Sequence, residues 1–197
     1  MDEGGGTTMW LVCDYGDVIS LSPTPDDVAR VAELCGLDLD ELSSAYWARR
    51  IDYDRGDIDA RAFWSGVAGG ELSDERLAAC VEVDLVGWTR LNALSTAAIE
   101  RAADRGLRLA LLSNAPVDIA RALDTTPWLA RFEHRVFSCD LRLTKPDPAI
   151  YHALLGRLGA EPTEVVFVDD RPENVAAAAA LGMGAVRFTG PEVFDSI

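Results

Sequence analysis

Residues 165–181 read VVFVDDRPENVAAAAAL: a β-branched apolar run that stops at two aspartates, then a proline and an alanine-rich stretch. The run has the length and composition of a strand buried on both faces, and the alanines that follow have the highest helix propensity of any residue. Strand therefore passes into helix within a few residues. The same step recurs along the chain. LRLALLSN from Leu107 precedes a helical stretch over 117–124, and HRVFS from His134 precedes one over 148–158 that starts at Pro148 behind Asp147. AVRF from Ala185 follows the helix expected over 173–181, and MWLVCD from Met9 supplies a fifth strand. Strands alternating with helices specify a parallel sheet joined by right-handed crossovers, so the expected class is α/β with a Rossmann-like, doubly wound core.

One connection breaks the rhythm. Residues 14–106 separate the first strand from the second, where a strand–helix–strand unit takes about thirty residues in all. Within that span PDDVARVAELCGL, DELSSAYWARRIDYDRG, DIDARAFWSGVAGG and SDERLAACVEVDL each open at Asp, Ser or Pro, and most close near a Gly, as capped helices do. The expected organisation is a core of residues 9–21 and 92–197, a small helical cap over 22–91 inserted after the first strand, and a disordered leader over 1–8, MDEGGGTT.

At 197 residues the chain accommodates one such core with a modest insertion. Apolar residues make up 49% of it, yet no stretch reaches the roughly 20 continuous apolar residues of a membrane span, and the acidic, glycine-rich start is unlike a secretory signal. The four cysteines, Cys13, Cys35, Cys80 and Cys139, are widely spaced and only two histidines accompany them, which predicts reduced thiols in a cytoplasmic protein rather than a zinc site. A net charge of −15, unrelieved by any basic cluster, argues against nucleic acid as a partner. The same charge opposes any anionic ligand, so binding one requires a local positive centre.

In an open parallel sheet, ligands bind beyond the carboxyl ends of the strands. The residues there are Asp14 with Tyr15, Gly16 and Asp17, then Ser113 with Asn114, then Lys145, then Asp169 with Asp170. Taken singly, each acid reads equally well as a helix cap and the lysine as a solvated surface residue. Taken together, WLVCDYGDVI, LLSNAP, LTKPDPAIY and VVFVDDRPEN resemble the four motifs of the haloacid dehalogenase superfamily, in order and over nearly the whole chain, with the long insertion at the superfamily's cap position.

The resemblance implies a hydrolase that removes phosphate from a small phosphorylated metabolite with bound Mg²⁺. Asp14 matches the nucleophile, which forms an aspartyl phosphate that water then hydrolyses. Asp14, Asp170 and the carbonyl oxygen of Gly16 match the Mg²⁺ ligands, hard oxygen donors of the kind that ion prefers. Asp169 and Asn174 fall where the family places supporting groups. Ser113 with the backbone N–H groups of Asn114 and Ala115 matches the phosphoryl-oxygen site, at a helix start that favours an anion, and Lys145 matches the lysine that holds nucleophile and phosphate. Lys145 and Mg²⁺ would then be the required positive centre. Within the cap Trp47, Arg50, Tyr53, Asp54, Trp64 and Trp88 are candidates for substrate selection, with Arg50 and Tyr53 the substrate-binding pair.

One position departs from the family pattern. Most phosphatases of this superfamily carry an aspartate two residues after the nucleophile as general acid–base, and here that residue is Gly16. Losing such a group costs roughly 10² to 10⁴ in rate, least where the leaving group is good, as for a sugar 1-phosphate. The chain is similar to the sugar 1-phosphate phosphatases that share D-x-G at this motif. Asp17, next in sequence, points elsewhere if the backbone continues as a turn. Two alternatives stand beside the phosphatase: a metal-independent 2-haloacid dehalogenase, which also lacks that aspartate but usually alters the acidic pair matched here by Asp169 and Asp170, and a catalytically weak module that binds a phosphorylated ligand or a protein.

Overall fold

The computed structural model describes residues 9–197; the leader expected over 1–8 lies outside them. The five apolar runs form β1 (Trp10–Cys13), β2 (Arg108–Ser113), β3 (His134–Phe137), β4 (Val165–Asp169) and β5 (Gly184–Arg187). All pair in parallel, in the order β3-β2-β1-β4-β5. The chain thus winds outward from β1 through β2 and β3, crosses back, and winds outward again through β4 and β5. The winding reverses between β1 and β4, and the crevice beyond their carboxyl ends is where a doubly wound sheet binds ligands.

The helices are α1 (Pro25–Cys35), α2 (Leu39–Asp54), α3 (Ala60–Val67), α4 (Asp74–Thr89), α5 (Ala93–Asp104), α6 (Val117–Asp124), α7 (Ser138–Leu141), α8 (Pro148–Leu158) and α9 (Pro172–Ala180). Alternation along each strand sends side chains to both faces of the sheet. Leu11, Cys13, Leu109, Leu111 and Val168 pack with Ile99 of α5 and Ile119 and Leu123 of α6. Trp10, Val12, Ala110, Leu112 and Phe167 pack on the other face with Ile150, Tyr151 and Leu154 of α8 and Ala178 of α9. Both faces are therefore covered, which is why these strands read as continuous apolar runs in the sequence.

Helices α1–α4 build a third apolar cluster, around Phe63, Trp64, Tyr46, Val31 and Cys80. Cys35 and Cys80 meet there with sulfurs 4.0 Å apart, both thiols free. The excursion leaves and rejoins the core through a narrow neck. Ser20 and Leu91 form an antiparallel bridge, Leu21 N–H donates to the Arg90 carbonyl and Asn92 N–H to the Ile19 carbonyl, each at 2.8 Å.

Local signals set the helix ends. Thr24 with Asp27, and Asp38 with Glu41, form reciprocal capping boxes at α1 and α2. Two features depart from the expectations. Helix α4 continues through Gly87 to Thr89; a β-carbon at Gly87 would come 3.2 Å from Pro23, so this glycine makes room for the segment that leads into α1. Helix α5 was not among the expected elements; its buried face is made mostly of small residues, Ser95, Ala98, Ile99 and Ala102, which gives little hydrophobic contrast. No described helix is long and apolar enough to cross a membrane.

Candidate active site

The carboxyl ends of β1, β2 and β4 carry their polar residues onto one wall of a cavity of about 320 Å³, between the sheet rim and helices α2 and α4. Asp14 follows β1 directly, its N–H fixed by the Val168 carbonyl of β4 at 2.9 Å, so the sheet ladder itself sets the position of this carboxylate. Lys145 reaches the same point from the loop before α8. Its Nζ lies 2.7 Å from Asp14 Oδ1 and 2.7 Å from Asp169 Oδ2. Burial works against the Lys145 ammonium, but Asp14 and Asp169 outweigh it and hold its pKa above the ordinary lysine value. Burial raises the Asp14 carboxyl well above the usual range, against the pull of Lys145 and with Asp169 adding to the rise.

The two aspartates that end β4 face different ways. Asp169 has no solvent exposure; it accepts from Lys145 Nζ, from Asn174 Nδ2 at 2.9 and 3.0 Å, and from the Arg171 N–H at 2.9 Å. Asp170 lies on the cavity wall, and among the described residues no donor from another residue reaches its carboxylate. Its pKa is raised by partial burial and by the neighbouring charges of Asp169 and Asp17.

Asp14, Asp169 and Asp170 offer carboxylate oxygens that all lie within 4.8 Å of one another, and among the described residues this is the only such cluster. Lys145 alone bonds two of these three acids, so negative charge is left over on the rim. Hard oxygen donors with surplus negative charge, open to a cavity, fit a small divalent cation such as Mg²⁺. Since Asp169 is already saturated, Asp14 and Asp170, with Gly16 beside them, are the residues free to hold it.

The phosphoryl side of the expected site differs in part. Ser113 is buried at the end of β2 and lines the cavity. The Ala115 N–H, expected to face a phosphoryl oxygen, instead donates to Ser138 Oγ at 2.9 Å. Asn114 contributes in a way the sequence did not suggest: its side chain accepts from the Lys145 N–H at 2.9 Å and donates to the Lys145 carbonyl at 3.0 Å, clamping the backbone that carries the lysine. Ser138 Oγ also donates to the Asp54 carbonyl, tying the end of α2 to the rim.

From the other side of the cavity, Arg50 Nε donates to Asp54 Oδ1 at 2.6 Å and its Nη1 to Tyr46 Oη, with Asp84 3.9 Å away. The guanidinium lies over the Trp88 ring, 5.5 Å from its centre. Burial pushes both Asp54 and Asp84 up to about 6 even with Arg50 between them. Arg50, Asp54, Trp47 and Trp88 line the cavity, but Tyr53 does not. Tyr53, expected to bind substrate, packs away from this cavity: its ring stacks on Phe63 at 4.3 Å, its hydroxyl donates to Asp118 at 2.6 Å, and it belongs to the core of the excursion, as does Trp64. Arg171, which follows the acidic pair, also lines the cavity and was missed; a basic residue directly after two strand-end aspartates was the available signal.

Gly16 sits beside Asp14 without adopting a left-handed backbone, and a β-carbon there would meet Trp88 at 3.6 Å, an ordinary contact. Neither backbone nor space requires glycine at this position. Asp17 does adopt the left-handed region, with φ +58°, and its carboxylate accepts from Ser22 Oγ.

A carboxylate and a lysine held at the switch point of a doubly wound parallel sheet, under a helical excursion from the first strand, define a class of α/β hydrolases. The chain belongs to the haloacid dehalogenase-like hydrolases, whose family model matches residues 71–182. It is 31% identical over 142 residues to flavin mononucleotide hydrolase 1 of Arabidopsis thaliana, covering 70% of this chain and 56% of that protein. It is 33% identical over 159 residues to phosphoglycolate phosphatase of Rhodospirillum rubrum, covering 76% and 66%. It is also 29% identical over 192 residues to (S)-2-haloacid dehalogenase 4A of Burkholderia cepacia, covering 88% and 79%. The chain thus spans between about half and two thirds of the first two relatives' length. Among solved structures, a HAD family enzyme of Bacteroides thetaiotaomicron in complex with magnesium and inorganic phosphate superposes with a TM-score of 0.73 at 18% identity, covering 91% of this chain and 93% of that one, a likeness of fold.

Proposed function

We propose that the chain is a Mg²⁺-dependent phosphatase acting on a small phosphorylated metabolite, such as a sugar 1-phosphate, with residues 22–91 serving as the cap over a core of 9–21 and 92–197. The observation that carries this reading is the three-carboxylate cluster of Asp14, Asp169 and Asp170, whose charge Lys145 cannot balance alone. Relatives named for flavin mononucleotide hydrolysis and for phosphoglycolate hydrolysis support it. The four free thiols fit the cytoplasmic placement.

In this reading Asp14, Asp170 and the Gly16 carbonyl would hold Mg²⁺, which would supply positive charge against the phosphoryl oxygens. Lys145 holds the Asp14 carboxylate and a phosphoryl oxygen, and the Ser113 hydroxyl donates to another. An Asp14 oxygen attacks phosphorus in line; the new O–P bond forms as the bond to the leaving oxygen breaks. Position 16 has no acid to give, so the leaving oxygen takes its proton from solvent. Water then attacks phosphorus, returns a proton to solvent, and releases phosphate as the bond to Asp14 breaks. Arg50, with Asp54 beside it, contacts the substrate body from the cap.

Inorganic phosphate release from a metabolite panel, with Mg²⁺ and with excess chelator, tests the reading; release that is unaffected by chelator overturns it. The 29% identity to a haloacid dehalogenase over most of the chain keeps a second reading in view. Halide release from (S)-2-chloropropanoate without phosphate release from any ester would establish it instead.

A further inference from the structure

A second cavity, of about 270 Å³, adjoins the first and shares Asp17, Trp47 and Trp88 with it. Its wall is apolar: Val28 and Val31 of α1, Leu42 of α2 and Val83 of α4. The acids around it already have partners, Asp17 with Ser22, Asp27 with Arg90 and Asp84 with Tyr46, so it offers contact area and few free hydrogen-bonding groups. Between the two cavities stands Trp47, whose ring meets Trp88 edge-on at 6.4 Å and is left 50% exposed, although Trp64 nearby is wholly buried. The half-exposed indole therefore offers apolar surface to both cavities.

We propose that this second compartment holds the non-phosphorylated end of the substrate, so that a phosphate monoester gains affinity when its body carries an aromatic or alkyl extension. The phosphate would lie at Asp14 and the body would run past Trp47 and Trp88 into the apolar compartment. Continuity with the catalytic cavity is what selects this occupant over a separate ligand. The inference rests on the phosphatase reading for its first test and on binding alone for its second.

The full chain with Mg²⁺ is assayed on phenyl phosphate and on 4-phenylphenyl phosphate, whose phenols are nearly equal as leaving groups. The second ring should raise kcat/KM roughly tenfold to a hundredfold, the effect of burying one aromatic ring. Val28→Trp, which fills the compartment from α1, should bring the ratio of the two esters close to one, and Val28→Phe provides a milder filling if the tryptophan variant does not fold. Equal kcat/KM for the two esters in the wild type, or a ratio untouched by filling, overturns the proposal. If neither ester releases phosphate, the compartment is judged by calorimetric binding of phenylphosphonate and 4-biphenylphosphonate, while the phosphatase reading stands or falls on the metabolite panel. Tighter binding of the biphenyl compound, lost in Val28→Trp or Val28→Phe, sustains the compartment, and equal binding removes it.

Discussion

Lys145 Nζ lies 2.7 Å from Oδ2 of Asp169, a carboxylate with no solvent exposure, while Asp170, the next residue, faces the cavity. Adjacent aspartates therefore do different jobs, and their variants should fail differently. Asp169→Ala removes a partner from a buried ammonium and should cost about 3–5 kcal/mol, a drop in Tm of roughly 6–20 °C. Asp170→Ala should change Tm in metal-free buffer by no more than a few degrees yet abolish the stabilisation that Mg²⁺ gives the wild type. Thermal melts with and without Mg²⁺ decide this. The assignment is reversed if Asp170→Ala is the variant that melts early.

Asp14→Asn should remove phosphate release by at least about 10³-fold, because the amide is no nucleophile and a poor hard-metal ligand. Excess chelator should do the same to the wild type, with recovery on adding Mg²⁺. A variant that retains substantial turnover would place the nucleophile elsewhere.

The Arg50 cluster predicts a pH dependence of stability. Asp54 and Asp84 have folded-state pKa values raised to about 6, so their contribution to stability is full below the unfolded value near 4 and is lost as pH rises through 6. Arg50→Met deprives both of their counter-charge. Its cost should be about 3–5 kcal/mol at pH 7.5, where both acids are ionised, and much smaller at pH 4.5, where they take up protons. Denaturant unfolding at the two pH values measures this; a cost independent of pH would mean that Arg50 acts through packing on Trp88 alone.

Gly16→Asp should fold normally, since a β-carbon at position 16 makes only an ordinary 3.6 Å contact with Trp88. By restoring a general acid it should raise turnover selectively on esters with basic leaving oxygens, such as sugar 6-phosphates, by roughly 10–10²-fold, with little gain on aryl phosphates. In the wild type, sugar 1-phosphates should outpace 6-phosphates. Equal rates that vanish in Asp17→Asn would make Asp17 the acid.

The sheet was legible because its central strands β1, β2 and β4 are buried on both faces and read as nearly unbroken apolar runs, and the rim residues were legible because they stand at the ends of those runs. Asp14, Ser113 and Asp170 needed only their place after a strand. Geometry across the sheet was not legible: nothing in LLSNAP says that the Asn114 side chain grips the backbone of Lys145, or that Ser138 takes the Ala115 N–H. Arg50 and Tyr53 are three residues apart on α2, and which of them turns to the cavity depends on how that helix packs against Phe63 and Asp118, contacts that no local pattern encodes.

The bridge between Ser20 and Leu91 has a consequence for how such a chain can change over evolutionary time. Because the two ends of the excursion already touch, the rest of the chain closes around it as though it were a short turn. Lengthening, trimming or exchanging the helices beyond the bridge alters the closure entropy only logarithmically and leaves every strand in register. One segment can therefore be replaced wholesale while the carboxylates at the strand ends keep their positions.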